Sequence, residues 1–74
     1  MDKVKKDFSA MIKEIRNQLE LSQEDLAREL GVSFATINRW ENGQTSPSKL
    51  ARKQLDDFVD RMTANGKLIL KEKN

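Results

Sequence analysis

The tightest constraint on this chain lies in residues 23–43, QEDLARELGVSFATINRWENG, where small and apolar residues stand at Leu26, Ala27, Leu30, Val32, Ile37 and Trp40 around Gly31. At the helical period this spacing predicts two short helices that meet at a tight turn and lean on one another. Ala27 is small where the second helix has to cross closest to the first, and Gly31 can take the positive φ that a sharp helix exit requires. Val32 plugs the turn. Ile37 and Trp40, three residues apart, give the second helix one apolar face, and a tryptophan at such spacing belongs to a core. The outward face is left with Ala35, Asn38 and Arg39, flanked by Phe34 and Thr36. Ser33 is placed to cap this helix, and Asn42-Gly43 to end it, with Gly43 as the left-handed residue beyond the last turn.

The residues around this pair predict further helices. Val4, Phe8, Met11, Ile12, Ile15 and Leu19 wind one apolar stripe along a first helix, with Asp2 or Asp7 as its cap and Lys6, Lys13, Arg16 and Asn17 on the other face. Ser22 caps the next helix and Asp25 stands where a capping box has Glu or Gln, a near miss that still puts acids in the first turn. Ser46-Pro47 reads as an N-cap followed by proline at the first helical position. From there Ala51, Leu55, Phe58, Val59 and Met62 hold a helical phase to about Thr63, and Ala64-Asn65-Gly66 stops it. Lys67-Leu68-Ile69-Leu70-Lys71 then brackets three large apolar residues with lysines, so they either fold back on the core or meet another chain.

Length bounds the rest: 74 residues make one domain, whose core supplies only roughly 3–5 kcal/mol without outside help. There is no cysteine and no histidine, which leaves neither a disulfide nor the usual zinc staple, and no metal or cofactor is expected. The chain suits a reducing cytoplasm and carries neither a signal-peptide core nor an apolar run able to cross a bilayer. No catalytic constellation is visible, so an enzyme is not expected. The net charge of +2 says little, but its distribution says more. Ser33 to Leu55 holds Arg39, Lys49, Arg52 and Lys53 against Glu41, whereas Glu20 to Val32 holds Glu20, Glu24, Asp25 and Glu29 against Arg28. A basic side and an acidic side orient a domain toward a polyanion even near neutrality.

From roughly Ile12 to Phe58 the pattern resembles the helix-turn-helix of the phage Cro and repressor-like DNA-binding domains, Thr36-Ile37 followed by Arg39-Trp40-Glu41-Asn42-Gly43 above all. The resemblance implies an all-α, lambda-repressor-like domain of four to five helices over residues 1–66, with the helix-turn-helix at 23–43 and a short C-terminal apolar arm at 67–74. It implies a prokaryotic or phage protein bound to double-stranded DNA, with residues 34–41 as the recognition helix in the major groove. Arg16 is implied to pair with Glu41, against the plainer reading of a solvated base or phosphate contact. Gln23 is implied to offer its amide to a phosphate, and Asn42, Gln44, Thr45 and Ser46 to hold the backbone, joined by Ser33, Thr36 and Lys49.

For base reading, Arg39 can donate two parallel bonds to guanine or simply touch a phosphate, and Asn38 can pair with adenine by the same two-bond logic. Phe34 and Ala35 replace polar residues found at matching places in relatives, so part of the readout is apolar. Family repressors bind as two-fold dimers on half-sites about 34–36 Å apart, which makes the C-terminal helix and residues 67–71 the candidate homodimer contact. The function expected is a sequence-specific transcriptional regulator. Two alternatives stay open: the DNA-targeting N-terminal module of a larger DNA-modifying protein, and an antitoxin whose main partner is a toxin.

Overall fold

Capping chemistry and apolar phase divide the chain into four helices, seen in a computed structural model that describes residues 3–70 and, within the first helix, side chains from Asp7 onward. They are α1 (Lys3–Leu19), α2 (Gln23–Leu30), α3 (Phe34–Glu41) and α4 (Lys49–Ala64). No strand occurs among the described residues. The fold is the all-α arrangement expected, at the lower helix count.

On α1, Phe8, Ile12 and Ile15 are buried, and Met11 and Leu19 pack against them half-buried. Val4 and Lys6 fall outside the described side chains. Because α1 already runs from Lys3, Asp7 lies inside it and is not its cap, and Asp2 falls outside the described residues. The helix ends at Glu20, which takes φ +56° while the Leu21 N–H donates to the Arg16 carbonyl at 2.9 Å. A side chain in that left-handed conformation costs about 1–2 kcal/mol.

Ser22 and Asp25 form a complete capping box. The Asp25 N–H donates to Ser22 Oγ at 2.9 Å and the Ser22 N–H to Asp25 Oδ2 at 3.3 Å, so the shorter acid still reaches back, at the cost of a long bond. Gly31 leaves α2 at φ +73°, and the Val32 N–H closes the turn on the Ala27 carbonyl. Ser33 caps α3 by accepting from the Thr36 N–H, and Gly43 follows it at φ +71°.

The start of α4 differs from expectation. Its cap is Ser48, whose hydroxyl accepts from the Ala51 N–H at 3.2 Å, and Lys49 is the first helical residue. Ser46 and Pro47 therefore precede the helix. Two serines flank the proline, and only Ser48 has its hydroxyl over an unpaired first-turn N–H, which is what decides a cap.

The core is formed where α3 lies against both α1 and α2 while α2 also meets α4. Trp40 stacks edge-on against Phe8, ring centroids 5.4 Å apart at 72°, and Leu26, Leu30, Ile37, Leu55 and Phe58 close around them. After Gly66 the chain turns back. Leu68 is fully buried in the same core, Leu70 packs half-buried on it, and Ile69 between them points outward, 72% exposed. Gln18 on α1 fastens this segment with both ends of its amide: Nε2 donates to the Ile69 carbonyl at 2.6 Å and Oε1 accepts from the Ile69 N–H at 2.8 Å. Two of the three apolar tail residues thus fold back, and Lys71 lies outside the described residues.

Candidate nucleic-acid interface

The phase of α3 fixes what it shows. With Ile37 and Trp40 buried, Ala35, Asn38 and Arg39 emerge together on the exposed side. Phe34 stands at the first turn 51% exposed and does not fold back on the core. A large apolar ring held in water at the start of an outward-facing helix is a contact surface in waiting.

Glu41 is the exception on this helix. It ends α3 by sequence, yet only 5% of it is exposed, and a buried carboxylate needs partners. It has three donors. Arg16 approaches in a two-pronged geometry, Nε to Oε2 at 2.5 Å and Nη2 to Oε1 at 2.9 Å, and Gln23 Nε2 donates to Oε1 at 3.0 Å. Burial by itself would push the Glu41 carboxyl up, but the bonds from Arg16 and Gln23 and the charges of Arg16 and Lys13 outweigh it and hold the group below its ordinary value. On the other side, the bond to Glu41 raises Arg16 against the opposing effect of burial. Arg16 also donates from Nη1 to the Leu21 carbonyl at 3.1 Å, so one guanidinium ties α1, the α1–α2 turn and α3 together.

Ser9 had no part in the sequence reading. Its hydroxyl donates to the Glu41 backbone carbonyl at 2.5 Å and so fixes the C-terminal end of α3 from α1. The signal was there: Ser9 sits three residues before Ile12, on the apolar stripe, where a small polar residue needs a buried partner.

The remaining candidate residues divide by what holds them. Ser33 and Thr36 are engaged with one another, hydroxyl to hydroxyl at 2.9 Å, in addition to the cap at 3.1 Å. The Gln23 amide nitrogen, besides its part-buried bond to Glu41, meets Asn38 Oδ1 at 3.4 Å on the exposed side. Asn42, Gln44, Ser46 and Lys49 are exposed and Thr45 half-buried, along the α3–α4 loop and the first residue of α4. The loop is shaped by the Gln44 N–H donating to the Arg39 carbonyl at 2.9 Å. Of the other bases there, Arg52 is bonded to Asp56 at 3.2 Å and lies 5.7 Å over the Phe8 ring, and Lys53 faces Asp57 at 3.7 Å. Those acids offset them, which leaves Arg39 and Lys49 as the cations nearest the α3 surface in sequence.

With Glu41 turned inward and neutralised, the exposed side of α3 carries a basic and an amide side chain with no exposed acid. That composition suits hydrogen bonding to a polyanion and to base edges. Among the described residues no three His, Cys, Asp or Glu side chains converge as a metal would require, and no helix is long and apolar enough to cross a membrane.

Comparison with known proteins agrees with this geometry. The sequence model described as helix-turn-helix matches residues 12–55. The chain is 40% identical over 72 residues to the type II methyltransferase M1.ScrFI of Lactococcus lactis subsp. cremoris, an overlap of 85% of this chain and 18% of that protein. It is also 40% identical over 57 residues to the type II methyltransferase M.SsoII of Shigella sonnei, 73% of this chain and 15% of that one. The chain therefore spans less than a fifth of the length of these relatives. No solved structure gives a significant match.

Proposed function

Because the chain belongs to the Cro/C1-type helix-turn-helix family of DNA-binding domains, matched across residues 12–55, we propose that it binds double-stranded DNA in a sequence-specific manner and regulates transcription by occupying its site. In this reading α3 lies in the major groove. Arg39 and Asn38 supply hydrogen bonds to base edges, and Phe34 and Ala35 supply apolar contact, for which a thymine methyl is the natural partner. Asn42, Gln44, Thr45, Ser46 and Lys49 fix the register on the phosphates, with Ser33 and Thr36 at the N-terminal end of α3. The observation that carries the proposal is the burial of Ile37, Trp40 and Glu41 on one helix, which leaves Asn38 and Arg39 exposed together on its other side. A second copy meeting the first through α4 and residues 67–71, with Ile69 already exposed, accounts for binding to a two-fold site.

A second reading is favoured by the relatives. Both carry the name of type II methyltransferases and both are several times longer, which fits a module that brings a DNA-modifying enzyme to its DNA. The two readings share the α3 surface and differ in what binding accomplishes. Selection of random duplexes with the purified chain at two salt concentrations tests their common part: a recovered motif with affinity falling as salt rises is expected, and uniform weak binding to all sequences sinks it. Transcription from a promoter carrying that motif then separates them, since a regulator changes it with this chain alone and a targeting module does not. Sedimentation of the free and bound chain tests the dimer.

A further inference from the structure

Two amides and one carboxylate stand in a row from the interior to the exposed side of α3. The Glu41 carboxylate is ionised and paired with Arg16, so its oxygens can only accept. The end of the Gln23 side chain that lies 3.0 Å from Oε1 is therefore its amino group, since an amide oxygen there would face another acceptor. That nitrogen has a second hydrogen, directed at Asn38 at 3.4 Å. Facing an N–H, Asn38 presents its carbonyl oxygen; turned by half a revolution it would set one amino group against another. The order imposed by the buried charge thus reaches the surface, and the end of Asn38 left for an outside partner is its amino group.

Resting on the DNA-binding reading above, we propose that Gln23 is a positioning residue that orients Asn38, so that Asn38 meets the major groove as a donor and selects guanine over adenine. Guanine shows two acceptors in that groove, N7 and O6, and both can receive hydrogens from one amino group. Adenine shows N7 beside its own N6 amino donor, and reading both needs an outward-facing carbonyl, which Gln23 has turned away. The two-bond adenine contact open to a bare asparagine is thereby replaced by a donor-only contact.

The test uses the whole chain. Selection with the native protein gives a site, and Asn38→Ala identifies the base pair that Asn38 reads as the one position relaxed. Competition binding then compares guanine with adenine there for the native chain, Gln23→Met and Gln23→Ala, each first shown by circular dichroism to keep native helix content. The native chain is expected to prefer guanine by about tenfold, and both Gln23 variants to fall within about threefold with every other position unchanged. Three results overturn the assignment alone: adenine preferred by the native chain, no position relaxed by Asn38→Ala, or Gln23 variants that weaken all sites equally and keep the guanine preference, as loss of a phosphate contact would. A native selection without any motif overturns the DNA-binding reading and this assignment with it.

Discussion

Replacing Arg16 by methionine leaves the Glu41 carboxylate buried with a single remaining side-chain donor, Gln23. Breaking a fully buried pair in this way costs about 3–5 kcal/mol. Here the Arg16 side chain is 26% exposed, so some water can reach the vacated side, and the expected loss is about 2–3 kcal/mol. Against a total of about 4–11 kcal/mol for a domain of this size, that lowers the melting temperature by roughly 10–20 °C. Circular dichroism measures it, with Trp40 fluorescence as a second probe of the same core. Two controls make the reasoning refutable. Glu41→Gln in the Arg16→Met background removes the stranded charge and is expected to recover at least about 1 kcal/mol, the opposite of two independent losses.

The pH dependence supplies the second control. In the native chain the Glu41 carboxyl lies below its ordinary value of 4.5, so its contribution is complete above that value and is lost only as pH falls through the lower folded value. Without Arg16, burial prevails and the folded value rises above the ordinary one. The variant's penalty is then present at neutral pH and disappears as pH falls toward the ordinary value. The gap in stability between native and variant should therefore narrow between about pH 7 and about pH 4. A gap that stays constant over that interval, or a double variant worse than Arg16→Met, refutes the account of Glu41 as a charge kept buried by its partner.

Other substitutions probe other parts of the molecule. Arg39→Ala, on an exposed residue, should leave the melting temperature within about 2 °C and weaken binding to the selected duplex about tenfold or more, relaxing one base position; binding assays that show no change remove it from the readout. Leu68→Ala should cost about 2–4 kcal/mol in urea unfolding although it lies beyond the last helix, whereas Ile69→Asp should cost under about 0.5, and equal effects would contradict the burial of one and the exposure of the other. Ser48→Ala should lose about 1 kcal/mol and Ser46→Ala almost nothing, since only Ser48 caps α4. Glu20→Gly should raise stability by about 0.5–1 kcal/mol by relieving the left-handed backbone at φ +56°, and a loss would show that the glutamate side chain contributes more than its strain costs.

What was legible in the sequence was what repeats at helical spacing. The stripe from Phe8 to Leu19, the inward turn of Ile37 and Trp40 and the glycines after α2 and α3 all express local periodicity or a single backbone requirement, and the structure has them in place. The cap of α4 was misplaced because Ser46 and Ser48 carry the same side chain around Pro47, and the choice depends on which hydroxyl meets an N–H after the loop has bent. Bonds between residues far apart left no such trace. Nothing in the neighbourhood of Gln18 announces the Ile69 backbone, 51 positions away, and nothing beside Gln23 shows that its amide is already committed to Glu41 and Asn38. The exposed face of α3 was thus visible as a set of residues, but the orientation of their polar ends was not.

The fastening of Ile69 to Gln18 also bears on how the domain is made. Helices α2 and α3, at eight residues each, are too short to hold without packing, and the place in the core that Leu68 fills stays open until the chain has looped across 51 positions to reach α1. Until that contact closes, α3 stands on a loosely packed core, so the exposed face of α3 becomes rigid only when a segment outside the four helices has docked.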